Sequence, residues 1–326
     1  MMQYLIILLD DMSSSYCHYT VPEGPSQLIS VDNLKMGILF AMKENLSIQF
    51  VYPSYDLPEE YNEIIESVDH VKIKPAGNNS QADVLVFDSI NKCIEYPRHK
   101  DTAYVLRITK KGLLELEPCI DGIINNCSRL NLVITDLDTY SDDDLQSYKL
   151  ILDKLIVHIK EMFLNGDTPQ LNILTDRMYL NEMNNCNAGN TNITLAPDGR
   201  FYVCPAFYYE KAENEFMGLG GPPESPFSIG DLESGLNIKN PQLYKLSYAP
   251  LCRICDSYQC KRCIWLNRKM TNEVNTPSRE QCVASHFERN ASRELLGQIQ
   301  GCNNQFNNLE IKEIGYIDPF EVKKEW

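Results

Sequence analysis

The sequence predicts an α/β fold, with helices around a mostly parallel sheet, followed by a half of different character that is rich in cysteine. Three observations carry this. The first half alternates short Val, Ile and Leu runs with amphipathic helical stretches; the composition shifts near residue 180; and eight of the twelve cysteines lie beyond residue 185. Candidate strands are Tyr4–Leu9, Ile48–Tyr52, His70–Lys74, Val84–Phe87, Ala103–Ile108, Leu130–Thr135 and Leu171–Leu174. Most are continuous apolar runs, the pattern of strands buried on both faces. Helical stretches fall at about 33–44, 58–67 and 142–163. The last is the clearest: Ser141 can cap it, Asp142, Asp143 and Asp144 suit its positive end, and Leu152, Leu155, Ile156, Ile159 and Phe163 share one face. The helical pattern between residues 75 and 130 is weak.

Composition narrows the function classes. The 326 residues are 43% hydrophobic and 23% charged, as in a folded globular protein. A net charge of −15 argues against nucleic acid as the main partner. The early apolar run Tyr4–Leu9 is far shorter than the roughly 20 residues of a spanning helix, and Asp10 and Asp11 follow it directly. The expected protein is cytoplasmic, with no membrane association. Neither G-x-G-x-x-G nor G-x-x-x-x-G-K-[ST] occurs. The run Gly218-Leu219-Gly220-Gly221-Pro222-Pro223 reads as a loop.

In a reducing compartment, clustered thiols point to metal rather than to disulfides. Cys186 and Cys204 flank a predicted β-hairpin, Ile193–Leu195 and Phe201–Val203 around the turn Pro197-Asp198-Gly199. Cys252-x2-Cys255-x4-Cys260-x2-Cys263 follows, with Cys282 after a further 18 residues. Two close C-x2-C pairs point sulfurs at a common centre. Arg253, Lys261, Arg262, Arg268 and Lys269 surround the block, where Asp256 is the one acid, and such cations offset thiolate charge. Spacing alone leaves zinc and iron–sulfur both open.

The order C-x12-G-x4-C, gap, C-x2-C-x4-C-x2-C, gap, C resembles the seven-cysteine SPASM domain that follows the barrel of many radical S-adenosylmethionine (radical SAM) enzymes. Asp198-Gly199 and Ser228-Ile229-Gly230-Asp231-Leu232 match its habits. The second block is one residue tighter in each of its last two gaps. The resemblance implies two auxiliary [4Fe-4S] clusters, the first on Cys186, Cys204 and Cys263, the second on Cys252, Cys255, Cys260 and Cys282. Met178 to Asn185 holds no further cysteine, so the first cluster has an open iron, recruits a distant ligand such as Cys302, or is missing. The C-x3-C-x2-C motif of a radical SAM barrel is absent: the first strand leads into Ser13-Ser14-Ser15-Tyr16-Cys17-His18-Tyr19. The chain is therefore expected not to bind SAM by that route.

Taken together, the resemblance is to the CXXX repeat peptide maturase family, and it includes Trp265-Leu266-Asn267 and Gly315-Tyr316. It implies a degenerate partial (β/α) barrel of radical-SAM type over residues 1–180, a SPASM-like domain over 181–290 and a tail over 291–326. It also implies an accessory subunit whose partners are a radical SAM enzyme and a cysteine-containing precursor peptide, rather than a self-sufficient enzyme. A zinc-stabilised recognition module is the alternative, and a self-contained redox enzyme with an open-site cluster is a third. His18, His70, His99, His158 and His286 read as isolated packing residues. Asp10-Asp11 and Asp136-x-Asp138 end strands, where parallel sheets place their sites, and stand as weaker candidates for substrate or cation binding.

Overall fold

The computed structural model describes residues 2–24, 26–77, 81–210, 227–301, 306–312 and 317–320. Its elements open with β1 (Tyr4–Leu8), α1 (Val31–Lys43), β2 (Ser47–Val51), α2 (Glu59–Glu66), β3 (His70–Pro75) and β4 (Val84–Phe87). There follow α3 (Ile90–Glu95), β5 (His99–Ile108), α4 (Lys110–Leu116), α5 (Ile120–Ile124), β6 (Cys127–Ile134), α6 (Asp142–Leu164) and α7 (Asp176–Tyr179). Then come β7 (Asn192–Leu195), β8 (Arg200–Tyr202), α8 (Pro205–Tyr209), β9 (Ser228–Asp231) and β10 (Gly235–Leu236). Two helices, α9 (Ile264–Thr271) and α10 (Arg279–Ile299), end the series. The predicted loop Gly218–Pro223, Cys302 and Gly315-Tyr316 lie outside the described residues.

The chain divides into two compact units, Met1–Val86 with Asn187–Tyr248, and Phe87–Cys186 with Ala249–Trp326. In the first, strands run in the order β10-β9-β8-β7-β1-β2-β3-β4. β1 pairs parallel with both β2 and β7, and β2–β3 and β3–β4 are parallel as well. The central strand carries Leu5, Ile7 and Leu8 at zero exposure, which is why its sequence reads apolar without alternation. The predicted hairpin is present: β7 and β8 pair antiparallel about a turn whose Gly199 has φ +78, a conformation that favours glycine. Helix α1 lies so close to the sheet that a Cβ on Gly37 would stand 2.4 Å from Leu195 Cδ2.

The second unit holds β5 and β6, paired parallel, and the two long helices α6 and α10, which pack together. The capping box expected at Ser141 is formed: Ser141 Oγ accepts from Asp144 N at 3.2 Å, and Asp144 Oδ2 accepts from Ser141 N at 2.9 Å. The predicted apolar face of α6, Leu152, Leu155, Ile156, Ile159 and Phe163, is buried.

Two readings need correction. Leu171–Leu174 is not a strand. Leu171 alone bridges Leu130, and the chain then turns, with Thr175 N donating to the Leu171 carbonyl at 2.8 Å and Thr175 Oγ1 accepting from Leu171 N at 2.8 Å. These local bonds satisfy the backbone that a strand partner would otherwise hold. Between residues 75 and 130 three short helices, α3 to α5, form where the periodicity was too brief to show them. No helix among the described residues is long and apolar enough to cross a membrane.

His158 on α6 has a structural role: its ring meets Asp121 Oδ2 at 3.1 Å and Glu117 Oε1 at 3.3 Å. Partial burial lowers its pKa, but hydrogen bonds to the two carboxylates outweigh this and raise it overall. The stability this contributes is fully present below the unfolded value of about 6.5 and is lost as pH rises past the folded one. His158→Gln should therefore lower the denaturation midpoint at pH 5.5, by less than about 1 kcal/mol, and leave it unchanged at pH 9.

Candidate metal centre

The second cysteine block is a chain of tight turns in the second unit. Cys255 N donates to the Cys252 carbonyl at 3.2 Å, Tyr258 N to Asp256 at 2.8 Å and Cys260 N to Ser257 at 2.9 Å. Arg262 follows in the left-handed region at φ +47. The turns aim backbone amides at sulfur: Ser257 N donates to Cys255 Sγ at 3.4 Å, Arg262 N to Cys260 Sγ at 3.4 Å and Leu266 N to Cys263 Sγ at 3.5 Å. Cys263 is also the N-cap of α9, a position that favours a thiolate.

Asp256 anchors this loop. Arg289, on α10 and fully buried, donates Nε and Nη2 to its two carboxylate oxygens at 2.7 and 2.6 Å. Arg177 Nε donates to its backbone carbonyl at 2.7 Å, and its guanidinium lies 4.1 Å above the Tyr258 ring. The forked pair joins the cysteine loop to α10, which carries Cys282.

Cys252, Cys255, Cys260 and Cys282 all line one cavity of about 440 Å³, together with His286 and Asp318. These four are the cysteines that the resemblance groups as one ligand set. The sulfurs feel one another. Burial, and then the charge of Cys260, push the Cys252 thiol up to about 12. Burial pushes Cys260 up to about 11. Burial, and then Cys260, Cys252 and Cys255, push Cys282 higher still. Such thiols stay protonated until a cation among them stabilises the thiolates. Among the described residues, no three His, Cys, Asp or Glu side chains converge on a point that could hold a single metal ion. The sulfurs line a cavity wall instead.

Cys263 belongs to the same loop, and burial, followed by the charge of Cys186, pushes its thiol up to about 12. Cys186 is brought there by its backbone: Asn184 N donates to the Tyr258 carbonyl at 2.9 Å and Cys186 N to the Lys261 carbonyl at 3.0 Å. Arg262, 1% exposed, feels the charges of Cys252, Cys186 and Cys260. Cys204 lies in the first unit, as the N-cap of α8, near Tyr19, a ring stacked on Tyr209 at 5.5 Å whose pKa burial raises, with Cys204 among the neighbouring charges that add to it.

The loop after β1 is held by oxygen rather than sulfur. Asp10 is fully buried, and its carboxylate accepts from Met12 N at 2.7 Å, Ser26 Oγ at 2.7 Å and Tyr55 OH at 2.5 Å. Ser13 Oγ donates to the Val51 carbonyl at 2.8 Å, and Asp11 accepts from Tyr208 OH. Asp136 accepts from Lys110 N at 3.0 Å, at the start of α4, and Asp138 pairs with Lys269. The strand-end aspartates thus organise loops and ion pairs.

Two cavity residues escaped the sequence reading. His286 is no isolated packing residue: it is 3% exposed, and its Nε2 faces Cys255 Sγ at 3.7 Å. Burial lowers its pKa. The signal was available, because Cys282 and His286 are four residues apart and share a face of α10. Asp318, which accepts from Arg279 Nε, comes from a distant segment that no spacing would reveal.

No protein-family description matches the chain, and no curated protein does. Solved structures do. The chain is similar to a histidine-tagged anSMEcpe with bound AdoMet, at 12% identity and TM-score 0.60, over 93% of this chain and 97% of that one. It is similar also to native anSMEcpe with bound AdoMet and the Cp18Cys peptide, and to the same protein with the Kp18Cys peptide. Each is at 12% identity and TM-score 0.57, over 92% of this chain and 99% of that one. The shared fold is mixed α/β with a parallel sheet core. At 12% identity the likeness carries the fold and no activity.

In the metal-free chain at pH 7.5, iodoacetamide should modify exposed Cys186 well before Cys252, Cys260, Cys263 or Cys282. Mass spectrometry of time points reads the order, and urea should abolish it.

Proposed function

We propose that this chain is an iron–sulfur accessory subunit of a peptide-modifying system, similar to the CXXX repeat peptide maturases, that works with a radical SAM enzyme on a cysteine-containing precursor peptide. The observation that carries the reading is the single cavity lined by Cys252, Cys255, Cys260 and Cys282. Amide donors to sulfur and raised thiol pKa values in that loop suit a group that binds thiolates. Cys186, Cys204 and Cys263 would hold a second cluster in the same reading.

A zinc-stabilised recognition module is the alternative, since four thiolates suit either one zinc or an iron–sulfur cluster. When bound, such a group supplies one-electron transfer or an open iron for a sulfur ligand. The chain's own residues hold the sulfurs in place, and Leu251, Ile254 and Pro319 add apolar surface to the cavity wall.

The peptide substrate is supported by structural neighbours that carry a bound peptide. The loop after β1 favours an accessory role. Only Cys17 is present from Asp10 to Gly24, and serine, aspartate and tyrosine hydrogen bonds hold the loop.

Anaerobically prepared protein should be brown and contain iron and acid-labile sulfide, while Cys260→Ala and Cys282→Ala should each lose iron and soluble yield together. A colourless zinc protein would establish the alternative. The purified chain, reduced with SAM present, should form no 5′-deoxyadenosine. Peptide modification should require both this chain and a radical SAM enzyme in a reconstitution that omits each in turn; full modification without this chain would remove the accessory role.

A further inference from the structure

Of the five cations around the cysteine block, the structure buries one deeply. Arg253 and Lys269 are exposed, Lys261 and Arg268 are half-buried, and Arg262 is 1% exposed. Arg262 also holds a central place among the sulfurs. It stands between Cys260 and Cys263 in the chain, at φ +47, a left-handed conformation uncommon for a residue with a long side chain. Its amide donates to Cys260 Sγ at 3.4 Å, and it lines the cavity together with Cys252, Cys255, Cys260 and Cys282. The Cys186 segment reaches the same turn: Cys186 N donates at 3.0 Å to the carbonyl of Lys261, the residue directly before Arg262. The guanidinium feels the charges of Cys252 and Cys260, which the resemblance gives to one cluster, and of Cys186, which it gives to the other. All of these residues belong to the second unit.

We propose that Arg262 is a fixed positive charge shared by the two sulfur centres, and that it raises the reduction potential of both. The inference rests on the two-cluster reading above and adds to it the residue that regulates its electron chemistry. Burial decides which of the five cations counts. An exposed charge is screened by water and salt, whereas a buried one acts through a lower effective dielectric with several times the strength. Arginine suits the position, because its guanidinium stays charged when buried. Reduction of a cluster takes one electron from an outside donor and adds one negative charge, with no bond made or broken in the chain. A cation fixed beside both sulfur sets favours that added charge at each, and iron–sulfur potentials respond to local charge in this way.

The test uses the full chain, reconstituted anaerobically with ferrous iron and sulfide, titrated with dithionite and followed by electron paramagnetic resonance. Arg262→Met keeps most of the side-chain length and removes the charge. It should keep the wild-type iron content and shift the reduction equilibrium of both centres about tenfold toward the oxidised state. Arg262→Lys should stay close to wild type at neutral pH, and Arg253→Met, which removes an exposed cation of the same loop, should leave both midpoints unchanged. Arg262→Gln retains hydrogen-bond donors without charge and repeats the measurement if the methionine variant does not fold. Neutral Arg262 variants with full iron and unchanged midpoints, or with a shift at one centre alone, would overturn the inference and leave the iron–sulfur reading intact. Neutral variants that fold and take up no iron would assign Arg262 to assembly and overturn it as well. A wild-type chain that takes up no iron would overturn both readings.

Discussion

In the second unit, the buried Arg289 guanidinium forked onto Asp256 is the contact on which the sulfur cavity depends. Asp256 sits in the middle of the cysteine loop, directly after Cys255, while Arg289 lies seven residues beyond Cys282 on α10. The fork therefore sets the loop against the helix, and with it Cys252, Cys255 and Cys260 against Cys282 and His286. Arg177 adds a third point, bonding the Asp256 carbonyl and covering the Tyr258 ring. An arginine this deep is tolerated because both carboxylate oxygens answer it. Removing Asp256 would leave the fully buried Arg289 charge unpaired, a loss that commonly costs about 3–5 kcal/mol. Helix α10 in turn packs on α6, whose N-terminus is closed by a capping box and whose long apolar face is buried.

The electrostatics of this cavity keep its thiols protonated. Buried thiols near one another resist ionisation, because each thiolate would lose water and meet its neighbours' charge. Amide N–H groups aimed at Cys255, Cys260 and Cys263 and the buried cation of Arg262 favour the ionised form.

The first unit shows the converse. Its strand β1 ends in a loop that hydroxyls and carboxylates secure: Ser13 on Val51, and Ser26 and Tyr55 on a wholly buried Asp10. A carboxylate with its oxygens so engaged serves the loop's own shape. The same parallel core of β7, β1, β2 and β3 can thus carry a loop end without cysteine ligands, with the polar network as the local support.

Periodicity and capping made much of the fold legible in the sequence. The apolar runs at β1, β2, β3 and β4, the Pro197-Asp198-Gly199 hairpin and the capped helix α6 depend on local rules, and those rules held. Leu171–Leu174 shows their limit: β6 pairs with this segment only at the Leu130–Leu171 bridge, and Thr175 then turns the chain by bonding back to Leu171. The C-x2-C spacing singled out Cys252, Cys255, Cys260 and Cys263 as candidate ligands, and the resemblance grouped Cys282 with them. That Cys282, well beyond the block in sequence, shares a cavity with Cys252, Cys255 and Cys260 was decided by the packing of α10 and the Arg289–Asp256 fork. The placing of His286 opposite Cys255 and the arrival of Asp318 belong to the tertiary structure as well. Spacing along a chain reports only what a turn or a helix can bring together, and contacts between distant segments are set by which buried charges and apolar faces find partners.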